Sequence, residues 1–94
     1  MGTKRRFVIV NRSGLHARPA AQFVRTASSF RGTTVKVTVL SRGLSADARS
    51  IVQVLALGVA MGEEIEIEAD GPDAGPCMDA VCTLLEKTLP ETDV

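Results

Sequence analysis

Apolar and polar residues alternate along parts of the chain in a way that predicts β-strands. Residues 7–10 form a short β-branched run, which predicts a buried first strand. Residues 35–39 and 64–69 place an apolar residue at every second position, which predicts two strands with one face in water. Turn formers at 41–43 return the chain through 44–46, so a further short strand completes a hairpin.

Three other segments are predicted to be helices, and in the first and third of them apolar residues repeat at spacings of three and four, which is typical of amphipathic helices. The first runs from Pro19 towards Gly32, and the second from Ser50, a suitable N-cap, to about Leu57. The third begins near Pro76. The order β-α-β-β-α-β-α predicts an α+β fold of the open-faced β-sandwich type. In this fold a four-stranded antiparallel sheet is covered on one face by three helices.

Length and composition bound the possible functions of the chain. Its 94 residues, 45% of them hydrophobic, predict one domain spanning residues 1–94. Three Phe, no Trp and no Tyr leave little for stacking on bases, so we expect no nucleic-acid partner. The longest apolar stretch, 51–61, is shorter than the roughly 20 residues of a membrane span. The first apolar run is also too short for a signal peptide, and we therefore expect a cytoplasmic protein.

Charged residues cancel in number but are unevenly distributed along the chain. Ten of the eleven Lys and Arg lie in residues 1–50, and ten of the eleven Asp and Glu follow them. This distribution indicates either a basic docking surface or faces of mixed sign in the folded protein, and the sequence leaves both open.

The two cysteines are expected to be free thiols. Cys77 and Cys82 stand five residues apart on one predicted helix, which separates their Cα atoms by roughly 8 to 9 Å, too far for a disulfide. A single histidine elsewhere supplies too few further ligands for zinc. We expect neither a metal nor a cofactor.

The only histidine, His16, lies where a glycine-containing loop enters the first helix. The N–H groups of Ala17 and Arg18 have no partner inside that helix and carry partial positive charge, so they can bind a phosphate. The Arg18 guanidinium adds a full charge. A neutral imidazole is a nucleophile suited to attack on phosphorus. A polar cap at a loop-to-helix junction is the alternative role for this histidine.

The stretch Gly14-Leu15-His16-Ala17-Arg18-Pro19, continued through Val24, resembles the HPr family of histidine-containing phosphocarriers of the bacterial sugar phosphotransferase system. The resemblance covers nearly the whole chain and its order of elements. It implies that His16 is phosphorylated on Nδ1 and that Arg18 helps to hold the phosphoryl group. It also implies relay from phosphoenolpyruvate through Enzyme I to IIA proteins. Sugar uptake and the nitrogen-regulatory branch both remain open.

Ser50 matches the family's regulatory serine, which implies HPr kinase/phosphorylase as a further partner. Val52 and Gln53 differ from the family's commonest residues at these positions.

The helix that starts at Ser50 is apolar almost all round, so it is either completely buried or partly a contact patch. The patch would have a basic rim of Arg12, Arg18, Arg25 and Arg49. The predicted docking residues are Leu15, Gln22, Arg25, Arg49, Ile51 and Leu55.

We expect a monomer that carries phosphate without being an enzyme. A different class of answer is a small ligand-binding or regulatory α/β domain that works through the open face of its sheet. The sequence shows no paired set of polar pocket residues there, which argues against this alternative.

Overall fold

The computed structural model of the chain describes residues 2–93. In chain order, its elements are β1 (Gly2–Val8), α1 (Ala17–Ser28), β2 (Thr34–Val39), β3 (Leu44–Asp47), α2 (Ile51–Leu57), β4 (Glu64–Asp70) and α3 (Ala74–Thr83). The helix that contains α3 continues as a π-helical turn, Leu84–Thr88, and a last α-helical turn, Leu89–Thr92. The predicted order and the four-stranded antiparallel sheet with three helices are confirmed.

The strands are arranged in the order β1-β4-β2-β3, and every neighbouring pair is antiparallel. The last strand in the sequence therefore lies between the first two. The connection from β1 to β2 through α1 passes over the position of β4. The connection from β3 to β4 through α2 passes over β2. Both helices are thus brought to the same face of the sheet, since long crossovers between parallel strands must cover a face.

Alternation within the two central strands separates the covered face from the open one. Ile65, Ile67 and Ala69 of β4 are fully buried, while the acidic residues between them lie on the open face. The valines of β2 repeat this pattern. On the covered face, α3 packs against β4 and β1, and α2 packs against β3 and α1. The side chains that fill this layer are almost all aliphatic, with Phe23 at the centre of α1.

The first strand is longer at its start, and shorter at its end, than the sequence predicts. It covers Gly2–Val8, so the predicted boundary at residues 7–10 was wrong. Its first half is polar, and pairing with β4, from Gly2 opposite Asp70 onward, makes it a strand. The Arg5 guanidinium lies over the Phe7 ring, 5.4 Å from its centre, in a cation–π contact.

Helix α1 starts at Ala17, two residues before Pro19, where the apolar pattern begins. Helix α3 starts at Ala74, which confirms a start near Pro76 with that proline in the first turn. Each proline therefore lies at the third helical position, where its missing N–H still costs no helical hydrogen bond. Helix α1 ends at Ser28, and Gly32 serves the following turn with a φ of 78°.

Among residues 2–93, none of the helices combines the length and the apolar character needed to cross a membrane.

Candidate functional site

The segment Asn11–His16, called the histidine loop below, is held on the core by its own backbone. The Leu15 N–H donates to the Val59 carbonyl oxygen over 3.0 Å, and the Gly14 N–H donates to the Asn11 carbonyl oxygen over 3.2 Å. The Leu15 side chain is fully buried. The loop is therefore anchored immediately before the histidine.

Gly14 meets two requirements that together exclude a side chain. Its φ is 61°, in the left-handed region, and a Cβ there would lie 2.2 Å from the Val59 carbonyl oxygen. Only glycine satisfies both the dihedral angle and the close approach of the two backbones.

His16 occupies the N-cap position of α1 in an extended conformation, and its side chain is exposed. The imidazole makes no capping hydrogen bond within the described part of the chain. A polar cap, the alternative role, therefore finds no support in this geometry. Within residues 2–93, the exposed imidazole is therefore accessible to a ligand or a partner.

The next residue, Ala17, has a φ of 48° and is the one non-glycine residue with a positive φ between residues 2 and 93. An L-residue in this region carries strain of about 1–2 kcal/mol. No acidic residue lies in the first turn of α1, so no carboxylate there offsets the partial positive charge of the helix end. The exposed Arg18 adds its charge at the same place.

A cavity of about 210 Å³ opens beside this helix end. Its lining residues are Ser13, Ala17, Arg18, Pro19, Gln22, Thr92 and Asp93. Gln22 is half-buried, and its Oε1 atom has no hydrogen-bond partner in the described residues. The cavity joins the histidine loop to Thr92 and Asp93 at the end of the last helical turn.

The Asp93 carboxylate binds the histidine loop through three hydrogen bonds. It accepts from Ser13 N at 2.7 Å, from Ser13 Oγ at 2.8 Å and from Asn11 Nδ2 at 2.9 Å. These bonds hold the pKa of Asp93 below its ordinary value, and the bond from Asn11 has the largest effect. The positive charge of Arg12 lowers the pKa of Asp93 as well. Asn11 is 1% exposed and also donates to the Gly14 carbonyl oxygen at 2.9 Å.

Glu63 and Arg42 hold in place the segment 58–63, to which the histidine loop is bonded. Glu63 accepts hydrogen bonds from the Arg42 guanidinium at 3.0 Å and from the Ala60 N–H at 3.2 Å. The bond from Arg42 is the main reason that the pKa of Glu63 lies below its ordinary value. This segment contains Val59, the acceptor for the loop.

Ser50 is the N-cap of α2, as predicted. Its Oγ accepts from the Gln53 N–H at 3.3 Å, and the Gln53 side chain accepts from the Asp47 N–H at 2.9 Å. Ser50 itself is half-buried.

Helix α2 buries only part of its apolar surface. Val54 and Leu57 are in the core, whereas Ile51, Val52 and Leu55 are 38%, 74% and 41% exposed. Complete burial is therefore excluded, and a contact role for the exposed part of the helix stays a prediction. Met61, in the loop after α2, is 59% exposed.

The predicted docking role of the Leu15 side chain was wrong. It is fully buried, because the apolar side chain anchors the histidine loop in the core and leaves nothing to contact a partner. Arg25 and Arg49 are exposed, although Arg49 also donates to the Thr33 carbonyl oxygen at 3.4 Å. Arg12 and Arg18, the other two arginines of the predicted rim, are exposed as well.

Both cysteines are free thiols, as predicted. Burial raises the pKa of Cys77, and the hydrogen bond from the Cys82 thiol to Glu86 Oε1, at 2.8 Å, raises the pKa of Cys82. Within residues 2–93, no group of three or more potential ligands is placed to hold a metal ion.

The model of the family described as "PTS HPr component phosphorylation site" matches residues 3–87. The chain belongs to the HPr family. The phosphocarrier protein HPr of Vibrio cholerae is 38% identical over 79 residues, which are 84% of this chain and 89% of that protein. The function of an HPr family member is that of a phosphocarrier in the phosphoryl relay of the phosphotransferase system, and not that of an enzyme.

Solved structures of the HPr family share the fold. An HPr from Thermoanaerobacter tengcongensis is 33% identical, with a TM-score of 0.88 over 98% of this chain and 99% of that chain. HPr from Bacillus anthracis is 28% identical, with a TM-score of 0.83 over 90% of this chain and 98% of that chain. The recognition of the family and of its fold from the sequence is thereby confirmed.

The sequence does not single out Asn11, Ser13 or Asp93 as parts of this site. Asp93 lies 80 residues from Ser13 in the sequence, so no local pattern could associate the two.

Proposed function

We propose that His16 is the residue on which this HPr family member carries the phosphoryl group, with Nδ1 as the accepting atom. The observation that carries the proposal is the exposed imidazole at the N-cap of α1, which makes no capping bond in the described residues. The Nδ1 lone pair forms the P–N bond while the bond from phosphorus to the donor breaks. The electron pair of that bond leaves with the donor.

The Ala17 and Arg18 N–H groups and the Arg18 guanidinium would stabilise the transferred group. A phosphoryl group on His16 carries negative charge beside a helix end whose first turn contains no carboxylate. Arg18 adds several donors at the edge of the 210 Å³ cavity. The same groups stabilise the charge on the equatorial oxygens during transfer.

Enzyme I and the IIA proteins are the partners that family membership implies. We propose that they dock on the exposed residues of α2, Ile51 and Leu55, together with Gln22, Arg25 and Arg49. An apolar centre with basic residues around it suits a partner with an acidic surface, because opposite charges steer the encounter and apolar burial stabilises the complex.

Ser50 is proposed as a regulatory phosphorylation site for an HPr kinase/phosphorylase. It lies at the N-terminus of α2, directly before the exposed Ile51 and Val52. A phosphate there would add nearly two negative charges to the proposed docking surface.

We further propose that residues 1–94 act as one phosphocarrier domain, as a cytoplasmic monomer. The family model spans residues 3–87 and leaves few residues outside it. Light scattering over a range of concentrations tests the oligomeric state. A dimer at all concentrations would contradict the proposed monomer.

The proposed acceptor atom is tested by phosphorylating the protein with phosphoenolpyruvate, magnesium and Enzyme I after labelling its histidine with ¹⁵N. Phosphorylation on Nδ1 changes the chemical shift of that nitrogen and introduces a coupling between it and phosphorus. The same changes at Nε2 would contradict the choice of atom, and an unchanged imidazole would contradict the choice of residue.

A further inference from the structure

The histidine loop depends on a residue from the far end of the chain. The Asp93 carboxylate receives three hydrogen bonds from the loop, two on Oδ2 and one on Oδ1. Its acceptor atoms therefore satisfy one backbone N–H, one hydroxyl and one amide of the loop. The distances of 2.7 to 2.9 Å are those of well-formed bonds to a charged acceptor.

We propose that Asp93 is a positioning residue for phosphoryl transfer: by binding Ser13 and Asn11, it holds the loop in the geometry that presents His16. The inference rests on the proposed role of His16 as phosphoacceptor. Asp93 does not touch the reacting atoms in this account, and it acts through the backbone that precedes the histidine.

Asn11 transmits the constraint from Asp93 to the residue two positions before His16. One Nδ2 group donates both to Asp93 Oδ2 and to the Gly14 carbonyl oxygen, each at 2.9 Å. Because Asn11 is 1% exposed, water cannot readily replace a lost acceptor there. Loss of the Asp93 carboxylate therefore leaves a buried donor with one partner fewer, beside the glycine that sets the direction of the loop.

The backbone conformations of Gly14 and Ala17 explain why the loop needs this constraint. Both residues have a positive φ, and the strained Ala17 follows His16 directly. A strained backbone persists only where its surroundings fix it. Asp93 supplies bonds to Asn11 and Ser13 in the first half of the loop, and the bond from Leu15 to Val59 fixes its second half.

Two substitutions at Asp93 separate its hydrogen bonds from its charge. Asp93→Ala removes all the acceptors. Asp93→Asn keeps the shape: its carbonyl oxygen can accept from Ser13 N and Asn11 Nδ2, while its amide can donate to Ser13 Oγ. Glu91→Gln is the control, because Glu91 is an exposed carboxylate two residues away.

The first measurement is steady-state transfer from Enzyme I with each variant as the substrate. For Asp93→Ala we expect kcat to fall about tenfold with KM changed less than about twofold, because misplacement of a reacting group lowers rate more than docking. For Asp93→Asn we expect a fall of less than about threefold, since the hydrogen bonds can be remade. Glu91→Gln is expected to match the wild type.

The second measurement is amide hydrogen exchange of the unphosphorylated proteins. In Asp93→Ala the Ser13 amide is expected to exchange at least about tenfold faster, while the amides of β4 stay protected. Faster exchange throughout the sheet would show a general loss of stability and would overturn a positioning role. Equal kcat in Asp93→Ala and Glu91→Gln would also overturn it.

The two measurements distinguish failure of this inference from failure of the proposed function. If the wild-type protein gains no phosphate on His16, the proposed function fails. Hydrogen exchange then still decides whether Asp93 holds the loop. If the wild type is phosphorylated and Asp93→Ala keeps both its rate and its Ser13 protection, only the positioning role is wrong.

Discussion

The Leu15 N–H donates to the Val59 carbonyl oxygen over 3.0 Å, and this bond places the histidine loop against the segment between α2 and β4. The two backbones approach so closely that a Cβ on Gly14 would lie 2.2 Å from the same oxygen. The position of His16 thus depends on a contact between two loops that are more than 40 residues apart in the sequence.

Gly14→Ala is expected to destabilise the protein by about 2–4 kcal/mol, because it adds both a steric clash with backbone and a disfavoured φ. Urea denaturation followed by circular dichroism measures the change. Gly43→Ala is the control, since Gly43 has a φ of 66° but no atom within 4 Å of its Cβ position. Equal losses in the two variants would show that the dihedral angle alone matters and that the close approach to Val59 does not.

Ala17→Gly is expected to raise the free energy of unfolding by about 0.5–1 kcal/mol, since glycine adopts the φ of 48° without the strain of an L-residue. Ala21→Gly, at an exposed position within the same helix, is expected to lower it by about 1 kcal/mol. Denaturant unfolding of both variants gives the comparison. A loss of stability in Ala17→Gly as large as that in Ala21→Gly would mean that Ala17 is not strained.

How far the sequence predicts this fold differs from element to element. Ile65 and Ile67 alternate with glutamates because β4 has one face in the core and one in water, and this pattern is local. The first half of β1 has no such pattern. Lys4 lies opposite Glu68 in the register, and only the finished sheet makes that pairing possible.

The residues of the candidate site also differ in how far the sequence predicts them. His16 and Arg18 could be singled out because a glycine, a histidine and a helix start stand together in the sequence. The burial of Leu15 could not be inferred, because an apolar residue in a loop can equally contact a partner or the core. The bonds from Asp93 form only after the whole chain has folded.

Arg18→Ala is expected to slow phosphoryl transfer to His16 about tenfold or more while the fold is kept, because the exposed guanidinium supplies charge rather than packing. Arg18→Lys is expected to recover part of the rate, since it restores the charge but not the planar donor geometry. Arg31→Ala removes an exposed arginine elsewhere and serves as the control. Quench-flow transfer rates and unfolding curves are the measurements. A large loss of stability at an unchanged rate would make Arg18 a structural residue.

Ser50→Asp is expected to weaken transfer from Enzyme I, because it places negative charge beside the exposed apolar residues of α2. The effect is expected to decrease as salt rises, since surface charges are screened over about 10 Å at roughly 0.1 M ionic strength. Ser50→Asn is the matched control, because asparagine keeps the size and the capping oxygen without the charge. Transfer rates across a salt series compare the three proteins. Equal rates for Ser50→Asp and Ser50→Asn at every salt concentration would leave Ser50 a helix cap and nothing more.

The most direct test of the account is phosphorylation of the wild type and of His16→Ala with ³²P-labelled phosphoenolpyruvate, magnesium and Enzyme I. The wild type is expected to gain one phosphoryl group that is labile in acid and stable in base, as a P–N bond to imidazole requires. His16→Ala is expected to gain none while it keeps the unfolding curve of a folded protein, because the His16 side chain is exposed and makes no capping bond in the described residues. An acid-labile phosphate on the folded His16→Ala protein would contradict the account, since the sequence contains no other histidine.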